Sequence, residues 1–539
     1  MKVDRLLYII LIAIISNQLI AQIESGSPLP ILVVDAFGQD VPDEPKIDAD
    51  IFIYYDSTAT LNFISEEYLH YDGFSGIEKR GQSSLMLFPK NGYGIETRNE
   101  DGSNNNVSIF GWPKENDWVL HGPYSDKTLI RNALAYKLAG QVMAYAPRTQ
   151  FCELIVNGSY EGVYLFTEKI KRDNGRVDIS KLRPEDNEGD QLTGGYIVKF
   201  DKGSDIEFGW QSMFQPLEGT FQQTSFFMVE PKAWQLSDTQ LDYIQGTFDD
   251  FETDLMSDNF KDSLEGYRQH IDVDNFINFM LHQELTGNVD SYRLSTYMYK
   301  DRDSIDSHIK MGPVWDYNLA FGNVNYCNGG PVSGWRWDFN SVCPQDFWLN
   351  HVWWRRFLQD TYFTELLKST WKSHRETIWS DQQVIACIDS LTIEVSPAAD
   401  RNFERWPVIG QWVWPNNVVG ESYAAEIENL KEWTLARMEW IDNNIESFLT
   451  EAELQILDPG LEIFPNPNSG TFAMNWNRQK FAPVSLRVFD GSGLLVFEQS
   501  DFTSQMYSRT IETNLVPGMY YYLFEGVQGV VNGQFIVAN

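Results

Sequence analysis

The feature that most constrains this chain is a change of hydrophobic rhythm along its length. Up to about residue 200, apolar and polar residues alternate over short stretches, at 51–55, 76–80, 93–97, 150–156 and 162–167. A period of two marks half-buried strands. Asn157-Gly158, between the last two stretches, is a strong hairpin signal. Segments 195–200, 295–299 and 308–311 read as further strands, and 29–41 as a strand or ordered arm. Ser125 and Asp126 can cap a helix that ends at Gly140. From about Ser237 the rhythm turns helical. Asp272 to Leu285 reads as a buried helix, and Tyr423, Ile427, Leu430, Met438, Ile441, Ile445 and Phe448 form one stripe of a long closing helix. Strands followed by helices predict an α+β domain with two lobes and a cleft between them.

The rhythm changes again near Asp458. Short alternating stretches then recur between turns such as Asp490-Gly491 and Pro517-Gly518. That spacing predicts a small β-sandwich of immunoglobulin-like size over 461–539. A chain of 539 residues exceeds one compact core, so several domains are expected. Lys2 and Arg5 precede the apolar run Leu6 to Ile15, and Ala21 follows a polar pair. This is the order of a secretory signal peptide over 1–21, too short in its apolar part to span a bilayer. The expected layout is then a main domain at 22–450 with an extended arm to about 48, a linker at 451–460, and the terminal sandwich. No later stretch is apolar enough for a transmembrane anchor once the signal is removed.

Export permits disulfides. Of four cysteines, Cys152, Cys327, Cys343 and Cys387, the pair at 327 and 343 flanks one Gly/Pro/Trp-rich loop and is the favoured bridge. The formal net charge of -35 repels phosphate backbones, so nucleic acid is not an expected partner.

Two carboxylates stand out. Asp290 sits in a loop between a helix and a strand, and Asp316 follows Val314-Trp315 at a strand end. A strand, a turn and a second strand separate them, which is hairpin geometry, so both fall at the same open end. Such a pair suits a metal and phosphate reaction, in which one acid handles a hydroxyl and the other holds magnesium. The same spacing also fits a structural calcium site or two solvated loop acids. A glycosidase is a third reading, with Glu168, Glu284 and Asp290 as candidate acids. Arg80, Lys90, Arg131, Lys169, Lys171, Arg172 and Lys199 could meet phosphates or form surface salt bridges. Neither common glycine-rich phosphate cradle is present.

Several strings resemble one family. Arg80-Gly-Gln-Ser-Ser with Lys90, ENDWVLHGPYSDKTLIRNALAYKLA at 115–139, ELIVNGSYEGVYLFTEKIKRDNGRVDISKL at 153–182 and GDQLTGGYIVKFDK at 189–202 resemble CotH (spore-coat protein H) kinase domains. So do GNVDSYRLSTYMYKD at 287–301 and MGPVWDYNLAFGN at 311–323. The resemblance runs in order from about residue 29 to 450. It implies a two-lobed atypical protein-kinase-like fold that uses ATP with Mg2+ or Mn2+ and phosphorylates Ser or Thr of a protein substrate. It assigns Asp290 as the catalytic aspartate, Asp316 and Asn318 as metal positions, and Arg80, Lys90, Lys169, Lys199 and Trp315 as nucleotide-contacting positions. Asn318 and Ser295 stand where this pattern more often carries Asp and Asn, so an inactive kinase-like adhesion or carbohydrate-binding protein is the alternative. Phe464-Pro-Asn-Pro467, the turn at 488–493 and Pro517-Gly-Met-Tyr520 resemble a type IX secretion C-terminal sorting domain. That resemblance implies the outer-membrane secretion machinery as a partner and a secreted or surface-attached location.

Overall fold

The computed structural model describes residues 23, 25–203, 208–217, 219–448, 461–476, 483–491, 494–500, 502, 508–526 and 529–538. The predicted signal segment 1–21 and linker 451–460 lie outside the described residues, as do Ser492 and Gly493 of the predicted 490–493 turn. The chain divides into one unit that ends at Ile445 and another that begins at Glu446.

In the first unit seven strands close into a barrel. They are β1 (Ile31–Asp35), β2 (Ile47–Tyr54), β3 (Leu69–Arg80), β4 (Gly92–Thr97), β5 (Asp117–His121), β6 (Thr149–Val156) and β7 (Ser159–Glu168). Their order around the barrel is β1-β2-β3-β4-β5-β7-β6. The period-two alternation points one set of side chains inward. Ala49, Ile51 and Ile53 of β2 share a core with Ile77, Ile95, Trp118 and Phe166. Fully burying one such Ile is worth about 2 kcal/mol. Asn157 and Gly158 turn the β6–β7 hairpin with φ of 48° and 72°, as a tight primed turn requires. The predicted arm at 29–41 is β1. It closes the barrel by pairing in parallel with β6, Ile31 opposite Glu153 and Val34 opposite Val156.

A second sheet has the order β12-β11-β8-β10-β9. Its strands are β8 (Tyr196–Phe200), β9 (Gly209–Gln211), β10 (Ser225–Glu230), β11 (Thr296–Lys300) and β12 (Ile309–Met311). The sheet therefore joins strands from both sides of the predicted strand-to-helix change. The main helices are α1 (Arg131–Ala139), α2 (Asp238–Met256), α3 (Val273–Thr286), α4 (Thr361–Glu376), α5 (Asp381–Arg405) and α6 (Tyr423–Asn444). Ser237 caps α2 and Asp272 caps α3, each side chain accepting a backbone N–H of the first turn. Gly287 ends α3 in the left-handed region at φ 57°. A Cβ there would stand 2.6 Å from the Trp433 ring, so glycine is required twice over.

The helix predicted from Ser125 begins six residues later, at Arg131. The cause is the Asp126 carboxylate. It accepts from the Thr128 hydroxyl at 2.6 Å and the Arg131 N–H at 2.9 Å, which closes a loop ahead of the helix. Helix α5 falls in the stretch read as helical from about Ser237, without bounds of its own. It lies on the barrel through Arg401, which pairs with Glu153 at 2.5 Å, and Asn402, whose Oδ1 accepts from the Val163 N–H at 3.1 Å. The favoured bridge is present: Cys327 and Cys343 are disulfide-bonded, with Cα atoms 5.6 Å apart.

The second unit holds two antiparallel sheets, ordered β13-β14-β17 and β16-β15-β18-β19. The strands are β13 (Glu462–Phe464), β14 (Thr471–Asn475), β15 (Pro483–Phe489), β16 (Leu495–Gln499), β17 (Ser508–Glu512), β18 (Gly518–Gly526) and β19 (Gly529–Val537). Phe472, Met474 and Ile511 from one sheet pack with Leu486, Val488, Phe524 and Phe535 from the other in a single core.

Candidate active site

The β11–β12 hairpin sets the site. Met298 pairs with Met311 and Lys300 with Ile309, so the open end of the hairpin faces the loops that carry Asp290 and Asp316. Both acids line one cavity of about 660 Å3. Asn288 ties the two loops together. Its Oδ1 accepts from the Asp290 N–H at 3.2 Å, and its Nδ2 donates to the Asp316 carbonyl at 3.1 Å.

Helix α1 holds the Asp316 loop from beneath. This helix is buried on almost every side. Asn132 Oδ1 accepts from the Tyr317 N–H at 2.5 Å, and the Tyr136 hydroxyl accepts from the Asp316 N–H at 3.2 Å. Arg131 Nε donates to the Ala320 carbonyl at 3.2 Å. Asp316 itself has φ 67°, a left-handed conformation that these bonds over-determine.

The charges converge unevenly. Asp290 is held by Arg293 at 2.8 Å, and Arg293 also pairs with Asp346 at 3.1 Å. Lys199 pairs with Asp201 at 2.9 Å. Asp316 is open to the cavity water, yet the surrounding walls and the nearby charges of Asp290 and Asp201 push its carboxyl up to about 7. Lys202 and Arg80 pull the other way without cancelling that effect. The cleft thus gathers Asp201, Asp290 and Asp316 together with Arg80, Lys199 and Lys202.

Of the positions singled out in the sequence, Arg80, Lys199, Asp290, Trp315, Asp316 and Asn318 line this cavity together. The Trp315 ring already has company: the Arg80 guanidinium lies 5.7 Å from its centre and the Tyr136 ring 6.1 Å away. Lys90 touches the same wall, but its ammonium faces inward. It donates to the Val163 carbonyl at 2.7 Å and to Asn402 Oδ1 at 2.8 Å, so it ties the barrel to α5. Burial holds it down at about 7. Lys169 is not on the cavity wall. It faces Asp117 at 3.7 Å, and burial lowers it to about 8.

Of the three glycosidase candidates only Asp290 is at the cleft; Glu168 and Glu284 are not, which corrects the expectation of an acid pair there. Glu168 is buried and accepts from Arg148 at 2.9 Å and from the Tyr145 hydroxyl at 3.0 Å. Glu284 is buried and holds Arg437 at 2.9 Å, the Tyr292 hydroxyl, and the backbone N–H groups of Arg336 and Trp337. Both are structural anchors. Lys171 likewise pairs with Glu115 and Asp117, each at 2.9 Å.

Asp201 and Lys202 were missed in the sequence. The signal available was an acid and a base directly after the apolar strand β8, within a string already singled out for Lys199. Asn288 was noted only as part of a loop; its bridging depends on two segments 28 residues apart.

Fold and cleft together define a mixed α/β domain that gathers acids and bases in one cavity, followed by a separate β-rich unit. The chain belongs to the CotH kinase protein family, whose model matches residues 77–441. Residues 462–538 match the secretion system C-terminal sorting domain, which implies export to the cell surface or the medium. No curated protein matches the chain. Among solved structures, the twitchin kinase region from C. elegans (Fn31-NL-kin-CRD-Ig26) aligns at 10% identity over 95% of this chain and 99% of that one, with a TM-score of 0.12, too low to carry an argument. Among the described residues no helix is long and apolar enough to cross a membrane.

Proposed function

We propose that this protein is a secreted atypical kinase that moves the γ-phosphate of ATP to Ser or Thr hydroxyls of a surface or extracellular protein. The observation that carries the reading is the gathering of Asp290, Asp316 and Asp201 with Arg80, Lys199 and Lys202 in one cavity. The barrel and the helix-rich part around the second sheet are read as the two lobes of a kinase-like fold. The terminal unit is read as an immunoglobulin-like module addressed by type IX export machinery.

The donors fit a divalent cation. Asp316 carries more negative charge around it than its neighbours offset. Asp316 and the Asn318 side chain would hold Mg2+ or Mn2+, and that ion, when bound, would offset charge on the nucleotide phosphates. No group of three or more His, Cys, Asp or Glu side chains stands close enough to hold a metal among the described residues. Magnesium would complete its shell there with waters and phosphate oxygens rather than a full protein cage.

Asp290 is fixed by Arg293, so its free oxygen can orient a hydroxyl and take its proton. Arg80, Lys199 and Lys202 would stabilise charge on the moving phosphoryl group. Positioning and electrostatics are the main demands of this chemistry.

Asn318 supports a second reading, since a neutral amide binds metal more weakly than a carboxylate. On that reading the scaffold binds a surface ligand, such as a carbohydrate, and does not catalyse. Purified protein with labelled ATP, Mg2+ and extracted surface proteins separates the two. Incorporation that disappears in Asp290→Ala and Asp316→Ala supports the kinase. Incorporation unchanged in both variants, or absent from the parent, supports the binder.

A further inference from the structure

A second cavity, of about 360 Å3, opens beside the cleft and shares Asp201, Lys202, Arg293 and Trp348 with it. Arg293 marks the junction. Its guanidinium holds Asp290 on one side, and Asp346 and the Trp348 carbonyl on the other.

The wall of this second cavity carries unmet polar groups. Gln222 is 3% exposed and Thr224 is 8% exposed. The Gln222 Nε2 donates to the Pro344 and Asp346 carbonyls, at 3.2 and 3.0 Å, which fixes the amide. Its Oε1 has no partner, and neither has the Thr224 hydroxyl. Buried polar atoms left in this state are costly and call for a partner. An acceptor oxygen and a hydroxyl on residues of one cavity wall match a peptide group, which offers one N–H and one C=O.

The rim adds a second signal. Phe221 and Phe347 are 66% and 67% exposed, and their rings stand edge to face with centroids 5.7 Å apart. Two large rings held side by side in water suit an apolar side chain. Of the two cations on this wall, Arg293 is doubly ion-paired, and Lys202 is shared with the cleft. The cavity is therefore better matched to polypeptide than to phosphate.

We propose that this second cavity is the groove for the acceptor polypeptide. It takes the extended residues that flank the target Ser or Thr. Gln222 and Thr224 pair with the backbone of that segment, and Phe221 with Phe347 seat one aromatic or large aliphatic side chain. The assignment of the segment as an acceptor rests on the phosphotransfer reading.

The test uses the full chain and a positional library of short peptides with one central Ser. Capture is read by fluorescence polarisation, both on the parent and on Asp290→Ala, which cannot transfer. Transfer is read with ATP and Mg2+. The parent and Asp290→Ala are expected to favour peptides with an aromatic or large aliphatic residue at one fixed flanking position. Phe221→Ser/Phe347→Ser, at exposed positions, is expected to lose that preference. Its peptide KM should rise about tenfold with kcat and the KM for ATP unchanged. Thr224→Val should weaken capture of every library member alike. Equal preference and equal KM in parent and double variant would overturn the groove. So would a loss of ATP binding in the double variant with peptide capture intact. Selective capture without any transfer by the parent would overturn the phosphotransfer reading and leave the polypeptide groove standing.

Discussion

Replacing Asp316 by Asn should stabilise the empty protein while removing its metal ligand. The reasoning starts from the carboxyl, pushed from 3.8 up to about 7 by the cavity walls and by Asp290 and Asp201. Below about pH 4 both folded and unfolded chains carry the proton, so Asp316 makes no difference to stability. Between about 4 and 7 the unfolded chain has lost the proton and the folded chain has kept it, so the native state loses ground as pH rises. Above about 7 the full cost is present. In a dry site this shift would amount to about 4 kcal/mol, at about 1.4 kcal/mol per unit. Water reaches Asp316 through the cleft mouth and screens the effect, so about 1–2 kcal/mol is expected. Asn has the same shape and no charge. In urea unfolding with chelator present, Asp316→Asn should therefore exceed the parent by about 1–2 kcal/mol at about pH 8 and match it at about pH 4. A variant that is equally or less stable than the parent at the higher pH would refute the electrostatic argument.

Other outcomes follow from the same geometry. Asn288→Ala removes the bond between the acid loops and the one that holds Asp290 within its own loop, and should lower kcat by about tenfold or more while leaving the fold intact by circular dichroism. Lys90→Met replaces a buried ammonium that burial holds at about 7. The parent's stability should gain as pH rises from about 7 toward 10, because the unfolded lysine stays protonated there, and the variant should lack that gain in chemical denaturation. Reduction of the Cys327–Cys343 bridge, which closes a loop of 16 residues, should cost about 3 kcal/mol and lower the melting temperature measured with and without reductant. Glu284→Gln should destabilise by about 3 kcal/mol or more, because buried Arg437 loses its counter-charge, and no reducing-sugar activity should be lost with it.

Much of this architecture could be read from local pattern. Period-two alternation located β2, β3, β4, β6 and β7, and the Asn157-Gly158 turn fixed one hairpin. The stripe from Tyr423 located α6. What local pattern misses is long-range closure. Barrel formation depends on β1 meeting β6, whose residues lie far on in the chain, and nothing near Ile31 encodes that partner. The start of α1 was misread because a good capping residue, Asp126, folds its own loop first.

The site divides in the same way. Asp290 and Asp316 were legible because a hairpin between them dictates where its ends go. The basic residues were not, since a lysine in a strand or just beyond its end gives no sign of which way it points. Lys199 lines the cleft, whereas Lys90 turns inward to Asn402 and Lys169 faces Asp117. Asp201 was hidden behind its more conspicuous neighbour at 199.

The most direct test is the melting temperature of the full chain with ATP and Mg2+ together and with each alone. A ligand at about a hundred times its Kd adds about 2.7 kcal/mol to the folded state. The account predicts a clear rise with the pair together, little with either alone, and no rise in Asp316→Ala or Arg80→Ala. No shift with the pair, or the same shift in parent and both variants, would contradict a nucleotide site at this cleft.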